Sequence, residues 1–183
     1  MSAAVRRKGN LVWLDLEMTG LDSARHTIME IGTVVTDSDL KVIAEGPAMA
    51  IHLPASALER MDSWCVEHHG KSGLTDRCRG SRISMAQAEA RTLDFLKRHI
   101  APDQSPLCGN SIWQDRRFLN KYMPKLDTFF HYRIIDVSSI KELVLRWYPQ
   151  SAHAPEKKKT HYVMDDIYES IEELKYYRRT IFK

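Results

Sequence analysis

The chain has 183 residues, 43% hydrophobic and 28% charged, with a net charge of +3. That is the size and balance of one globular domain able to bury its own core. So mild a charge excludes strong non-specific binding to long duplex nucleic acid, and any nucleic-acid site must be a local patch.

The N-terminal "MSAAVRRKGN" carries basic residues with no apolar stretch behind them, so no signal peptide is expected, and residues 1–9 read as a flexible tail. No apolar run reaches membrane-spanning length. Residues 11–17, 28–36 ("IMEIGTVVT") and 41–46 ("KVIAEG") read as strands, the last two joined by a "DSD" hairpin. Residues 56–69 look helical, with Trp64 near the end. The stretch "SMAQAEARTLDFLKRHI" opens with Ser84 and Gln87 in capping-box spacing, then apolar positions at helical period. "PLCGN" (106–110) is a short strand stopped by Gly109, followed by a helix that carries Asp115 and ends near Pro124. "YRIID" (132–136) is another strand, with Asp136 and Ser138 as candidate N-caps for "IKELVLRWY". Residues 149–160 form a polar loop, and a long helix runs from about His161 to Arg179. Strands in hairpins followed by strand–helix alternation predict a single α/β domain, 1–183, with a mixed central sheet flanked by helices on both faces. The cysteines, Cys65, Cys78 and Cys108, show no CxxC spacing, which points to reduced thiols in a soluble cytoplasmic protein.

The chemistry begins in "LVWLDLEMTGLD" (11–22), an apolar strand that ends in Asp15 and Glu17. Strand alternation puts both carboxylates on one side, roughly 6–7 Å apart. A bare D-x-E usually faces solvent, but a strand apolar on both faces belongs at the centre of a sheet. The C-terminal end of such a strand is where open α/β sheets bind ligands, and hard divalent cations are the usual means of holding converging carboxylates. In "NSIWQDRRFL", Ile112, Phe118 and Leu119 have core spacing and Asp115 lies near that stripe; taken alone, it reads as a surface aspartate paired with Arg116 or Arg117. In "THYVMDDIYESIEEL", Ile167, Ile171 and Leu174 define the buried face. At about 100° per residue, Asp165 falls opposite that face and Asp166 on its flank. His161 at the helix start would alone be a cap or a surface residue.

D-x-E on the first strand, an aspartate on a middle helix and H-x-x-x-x-D on the last resemble the DEDDh superfamily of 3′-to-5′ exonucleases, which have a ribonuclease H-like fold. Through "WLDLEMTGLD", "GNSIWQDRRFL", "YRIIDVSSIKEL" and "DDIYESIEELKYYR" the chain is similar, over nearly its whole length, to the oligoribonuclease family. One departure is that "HYVMDDIYES" stands where the family pattern is "HxALDDIRES", so Val163 and Tyr168 put helix packing in question.

The resemblance implies a homodimeric exoribonuclease that cuts very short RNA, dinucleotides above all, to nucleoside 5′-monophosphates. It implies Asp15, Glu17, Asp115 and Asp166 as ligands of two magnesium or manganese ions, roughly 3.5–4 Å apart, that reverse the negative field and clamp the phosphate. His161 would be the general base. Leu21 and Trp64 would sandwich bases, and His69 and Gln114 would lie near the scissile end. Ser111, Arg133, Ser138 and Ser139 would cap the 5′ phosphate, with Tyr132 reaching the site from a second subunit. The competing readings are another DEDDh enzyme acting on DNA ends or tRNA 3′ ends, a non-catalytic nucleic-acid-binding module, and a scaffold protein.

Overall fold

A computed structural model describes residues 9–151 and 162–182 of the chain. β1 (Leu11–Met18), β2 (Ile28–Thr36) and β3 (Val42–Glu45) form an antiparallel meander, and β4 (Met49–Ala50) also pairs with β2. β5 (Leu107–Gly109) runs parallel to β1, and β6 (Ile134–Asp136) runs parallel to β5. The resulting order is β3-β2-β1-β5-β6, with β4 off this path. The mixed sheet is the expected one, and β1 at its centre explains why Leu11 to Leu14 are apolar on both sides.

Helices α1 (Ala55–Leu58), α2 (Ser63–Lys71), α3 (Leu74–Gly80) and α4 (Met85–Leu96) precede β5. After it come α5 (Ile112–Tyr122), α6 (Pro124–Asp127), α7 (Val137–Trp147) and α8 (Val163–Thr180). The expected capping box at Ser84 and Gln87 is formed, and Asp136 caps α7 by accepting from the Ser138 amide. The single helix expected over 56–69 is instead two. The Asp62 side chain accepts from the Cys65 amide and so starts a new helix, while the Asp62 amide donates to the Thr19 carbonyl. The loop expected over 149–160 begins with a short 3₁₀ turn, Pro149–Ser151; the rest of that loop, His161 and residues 1–8 of the expected tail lie outside the described residues.

Alternation along β1 divides the core in two. Val12, Leu14 and Leu16 pack with Ile112, Phe118, Leu119 and the apolar face of α4. Trp13 joins Val34, Val137, Val144, Ile167 and Ile171 on the other face, under α7 and α8. Asp15 and Glu17 continue the Trp13 side, so α8 is the helix that reaches them. Gly32, the register partner of Asp15, lets that helix approach. A Cβ there would lie 2.8 Å from Val163 Cγ2, so the first turn of α8 sits directly on the strand. Val163 is thus fully buried against β2, and the Tyr168 hydroxyl bonds Glu45 at the end of β3. Both departures from the family pattern tie α8 to the sheet. The buried face of α8 is also wider than the apolar spacing predicts: Leu174 is half-buried, while Ser170 and Glu173 are buried.

Candidate active site

The acids converge where β1 ends. Asp15, Glu17 and Asp166 each offer a carboxylate oxygen, and these lie within 4.8 Å of one another. The β1–β2 register slips between Glu17 and Met18, a bulge of the kind that re-aims side chains next to a site. Burial drives the Glu17 carboxyl up to about 8, helped by the negative charges of Asp166, Glu30 and Asp115. Three clustered carboxylates are a donor set for a hard divalent cation. The phasing of α8 is as expected: Asp165 is exposed and Asp166 half-buried.

Asp115 arrives from the opposite face of the sheet, on α5, and is not part of that group of three. It is buried, and its Oδ1 accepts from the Leu16 amide at 3.0 Å. Burial raises its carboxyl well above the ordinary carboxylate range. The pairing with a neighbouring arginine that Asp115 suggests when taken alone is not formed among the described residues. Arg116 binds Asp127, and Arg117 binds the Gln114 side chain.

Around the cluster, His69 is buried, with Nε2 3.0 Å from the Met18 carbonyl and 3.7 Å from Glu17 Oε2. Gln114 donates to the Leu21 carbonyl and so anchors the loop that presents Leu21. Leu21 and Trp64 are both exposed, and the indole stacks on His68 with centroids 3.8 Å apart. An exposed leucine and an exposed indole beside an acidic cluster are surfaces on which bases can stack.

The C-terminal ends of β5 and β6 bring Ser111 and Ser138 together. Ser111 Oγ donates to Ser138 Oγ at 3.1 Å, and the Ser111 amide donates to both Ser138 Oγ and Asp136 Oδ1. Ser139 is exposed one residue further on. Arg133 is also exposed, its guanidinium over the Tyr132 ring at 5.2 Å rather than bonded to the serines. His161 falls outside the described residues.

Sequence reasoning missed a second buried acid beside the cluster. Glu30 stands opposite Glu17 in the β1–β2 register, is 1% exposed, and is bridged by Arg77 from α3, whose guanidinium also lies over the Tyr162 ring. The signal was available: a lone glutamate inside the apolar run "IMEIGTVVT" needs a partner. Asn110, which bonds Ser138 from the quoted "GNSIWQD", was also missed.

Carboxylates gathered at the end of the central strand of a mixed sheet, with a helix laid over them, fit a nuclease of the exonuclease type, and the family match makes it one. The exonuclease family matches residues 12–174. The fold is shared with Escherichia coli exonuclease I in complex with an oligonucleotide, with a TM-score of 0.75 and 16% identity over 96% of this chain. It is shared also with exonuclease I from Methylocaldum szegediense, with a TM-score of 0.73 and 14% identity. The chain spans 42% and 41% of those two proteins. Oligoribonucleases are far more similar: that of Marinobacter nauticus is 57% identical over 94% of this chain and 96% of its own length. That of Pseudomonas aeruginosa is 55% identical over 95% of this chain and 97% of its own. The chain belongs to the oligoribonuclease family of exonucleases.

Proposed function

We propose that this nuclease removes nucleotides from the 3′ end of very short RNA, dinucleotides above all, and releases nucleoside 5′-monophosphates. The observation that carries the reading is the cluster of Asp15, Glu17 and Asp166 beside exposed Leu21 and Trp64, in a chain 57% identical to an oligoribonuclease. The oxygen donors suit two magnesium or manganese ions, with Asp115 completing the set. Such ions, when bound, lower the pKa of a water and offset charge on the phosphate. The chain's own residues do the rest. His161 takes the proton of the attacking water. Leu21 and Trp64 hold the bases by stacking, which tolerates any sequence. His69 and Gln114 shape the scissile end. Ser111, Arg133, Ser138 and Ser139 receive the 5′ phosphate, with Arg133 swinging off its own Tyr132 ring.

The active form is a homodimer in which Tyr132 of the partner subunit closes the site. Support comes from the exposed Trp113, Tyr132 and Ile134 around α5 and the edge strand β6, an apolar surface of the kind that marks an interface. The three thiols are free and buried, which suits the reducing cytoplasm. No helix among the described residues is long and apolar enough to cross a membrane. The test is a time course on 5′-labelled RNA of two and seven nucleotides, with matched DNA, in Mn²⁺ and in EDTA. Mn²⁺-dependent cleavage fastest on the dinucleotide supports the reading, whereas faster cleavage of DNA than RNA overturns it in favour of a DNA-acting relative.

A further inference from the structure

The ends of β5 and β6 are joined to α8 by a run of hydrogen bonds whose middle members, Asn110 and Ser170, no step of the hydrolysis uses. It starts at the bond from Ser111 Oγ to Ser138 Oγ described above. Ser138 Oγ donates to Asn110 Oδ1 at 3.1 Å, Asn110 Nδ2 donates to Ser170 Oγ at 2.7 Å, and Ser170 Oγ donates to the Asp166 carbonyl at 2.8 Å. A hydroxyl has one proton, so the direction of each link fixes the next. The amide is oriented twice over, because Nδ2 also lies 3.2 Å from Glu173 Oε2, and a carboxylate only accepts. Glu173 is itself 3% exposed and held by the Tyr177 hydroxyl and by Lys141. At the other end, Ser111 sits at φ 49°, a left-handed conformation that a serine keeps only when its surroundings enforce it.

Two consequences follow from that direction. Ser138 has committed its proton to Asn110 and stays an acceptor, so it holds the Ser111 amide in place. The Ser111 hydroxyl proton is the one that can turn to an incoming phosphate oxygen without breaking the rest of the run. The far end is the backbone of Asp166, one of the three clustered acids.

We propose that Asn110 is a positioning residue that joins the 5′-phosphate site to the acid cluster, setting their spacing and thereby the length of RNA that is cut best. The proposal rests on the reading of the Ser111–Ser138 pair as the 5′-phosphate site, in which Ser138 holds Ser111 and the Ser111 hydroxyl donates to the phosphate. Asn110 touches neither substrate nor reacting atoms; it acts through Ser138 on one side and through Ser170 on the other.

The test uses the full chain and the variants Asn110→Ala, Ser170→Ala and Arg133→Ala. Affinity for a 5′-phosphorylated dinucleotide and for a heptanucleotide is measured by calorimetry in EDTA, and kcat and KM for both are measured in Mn²⁺. Asn110→Ala is expected to weaken dinucleotide binding about tenfold, the scale of one hydrogen bond from the Ser111 hydroxyl to a charged phosphate lost when Ser138 no longer holds it, and heptanucleotide binding far less. Ser170→Ala is expected to leave dinucleotide affinity in EDTA intact and to lower kcat on the dinucleotide more than on the heptanucleotide. Equal losses on both lengths, or none, in Asn110→Ala overturn the proposal, and an unchanged kcat ratio in Ser170→Ala overturns the link to α8. Length-selective loss in Arg133→Ala without it in Asn110→Ala removes this inference alone. Absence of length selectivity in Arg133→Ala removes the 5′-phosphate reading and this inference with it. Should Asn110→Ala fail to fold, Asn110→Ser is measured in its place, with the same selectivity expected at smaller amplitude.

Discussion

Two adjacent aspartates on α8 show how much a single step along a helix decides. Asp165 is exposed and Asp166 is half-buried against Asp15 and Glu17. Asp166→Ala is expected to lower kcat by at least about 10²-fold, since a metal-held charge is worth several kcal/mol in the transition state. Asp165→Ala should stay within a few-fold of the wild type in the same assay, and a reversed order would refute the phasing. Glu17 carries the pH dependence together with Asp115, whose buried carboxyl is raised in the same direction. The Glu17 carboxyl ionises near 4.5 in an unfolded chain but only at about 8 in the metal-free fold, chiefly because it is buried. Between those values the unfolded chain binds fewer protons than the folded one, so stability falls as pH rises. In EDTA, Tm is therefore expected to drop from pH 5 to pH 8. Mn²⁺ should raise Tm most at the alkaline end, where losing the proton no longer opposes binding. Calorimetric scans at both pH values, with and without Mn²⁺, check this. A metal-free Tm that climbs with pH would mean that Glu17 and Asp115 are already ionised in the fold.

Among the elements, α8 and β2 make the most consequential contact, because Gly32 leaves room for Val163 directly across from Asp15. Gly32→Ala would place its Cβ 2.8 Å from Val163 Cγ2 and 3.3 Å from Ile167 Cδ1, so the first turn of α8 must lift. Asp166 lies in that turn. The expected result is a loss of about 1–3 kcal/mol in stability, typical of overpacking, with a larger proportional fall in activity. Val163→Ala in the same chain should restore part of both, and a double-mutant cycle showing strict additivity would count against the contact. This packing also shows where the sequence was legible. The two long early strands, the Ser84 box and the Asp136 cap are local patterns, and they appear as read. The break at Asp62 was not legible as a break. Its helix-starting bond to Cys65 is local, but Asp62 also answers to Thr19, 43 residues earlier, and nothing in a periodicity of apolar residues records that. The two-residue β4 and the four-residue α6 are too short to show a period at all. At the site, D-x-E and the phase of α8 were readable, because alternation and helical angle are geometric. The inward turn of Ser170 and Glu173 was not, since it depends on Asn110 and Lys141 from other elements.

In the whole molecule, parallel pairing places the ends of β1, β5 and β6 side by side, with the acids at one and the Ser111–Ser138 pair at the next. Leu21 and Trp64 stand exposed near the acids, and Tyr132, 70% exposed, precedes β6 on the surface that also carries Trp113 and Ile134. A second copy of the chain, docked through Trp113 and Ile134, would cover apolar surface and bring Tyr132 of the partner subunit over the shortest substrates. Trp113→Asp combined with Ile134→Asp should therefore shift the mass in sedimentation from dimer to monomer, since two charges in an apolar contact are costly to desolvate. Neither side chain is among the clustered acids, so the folded monomer is expected to keep metal binding and some cleavage of a heptanucleotide. Dinucleotide cleavage is expected to fall by an order of magnitude or more, because a two-residue substrate has no further nucleotides with which to hold on. A wild type that sediments as a monomer would remove the proposed dimer, and a monomeric double variant that still prefers dinucleotides would put the whole length-selecting wall within one chain and leave Tyr132 without its proposed role across the interface.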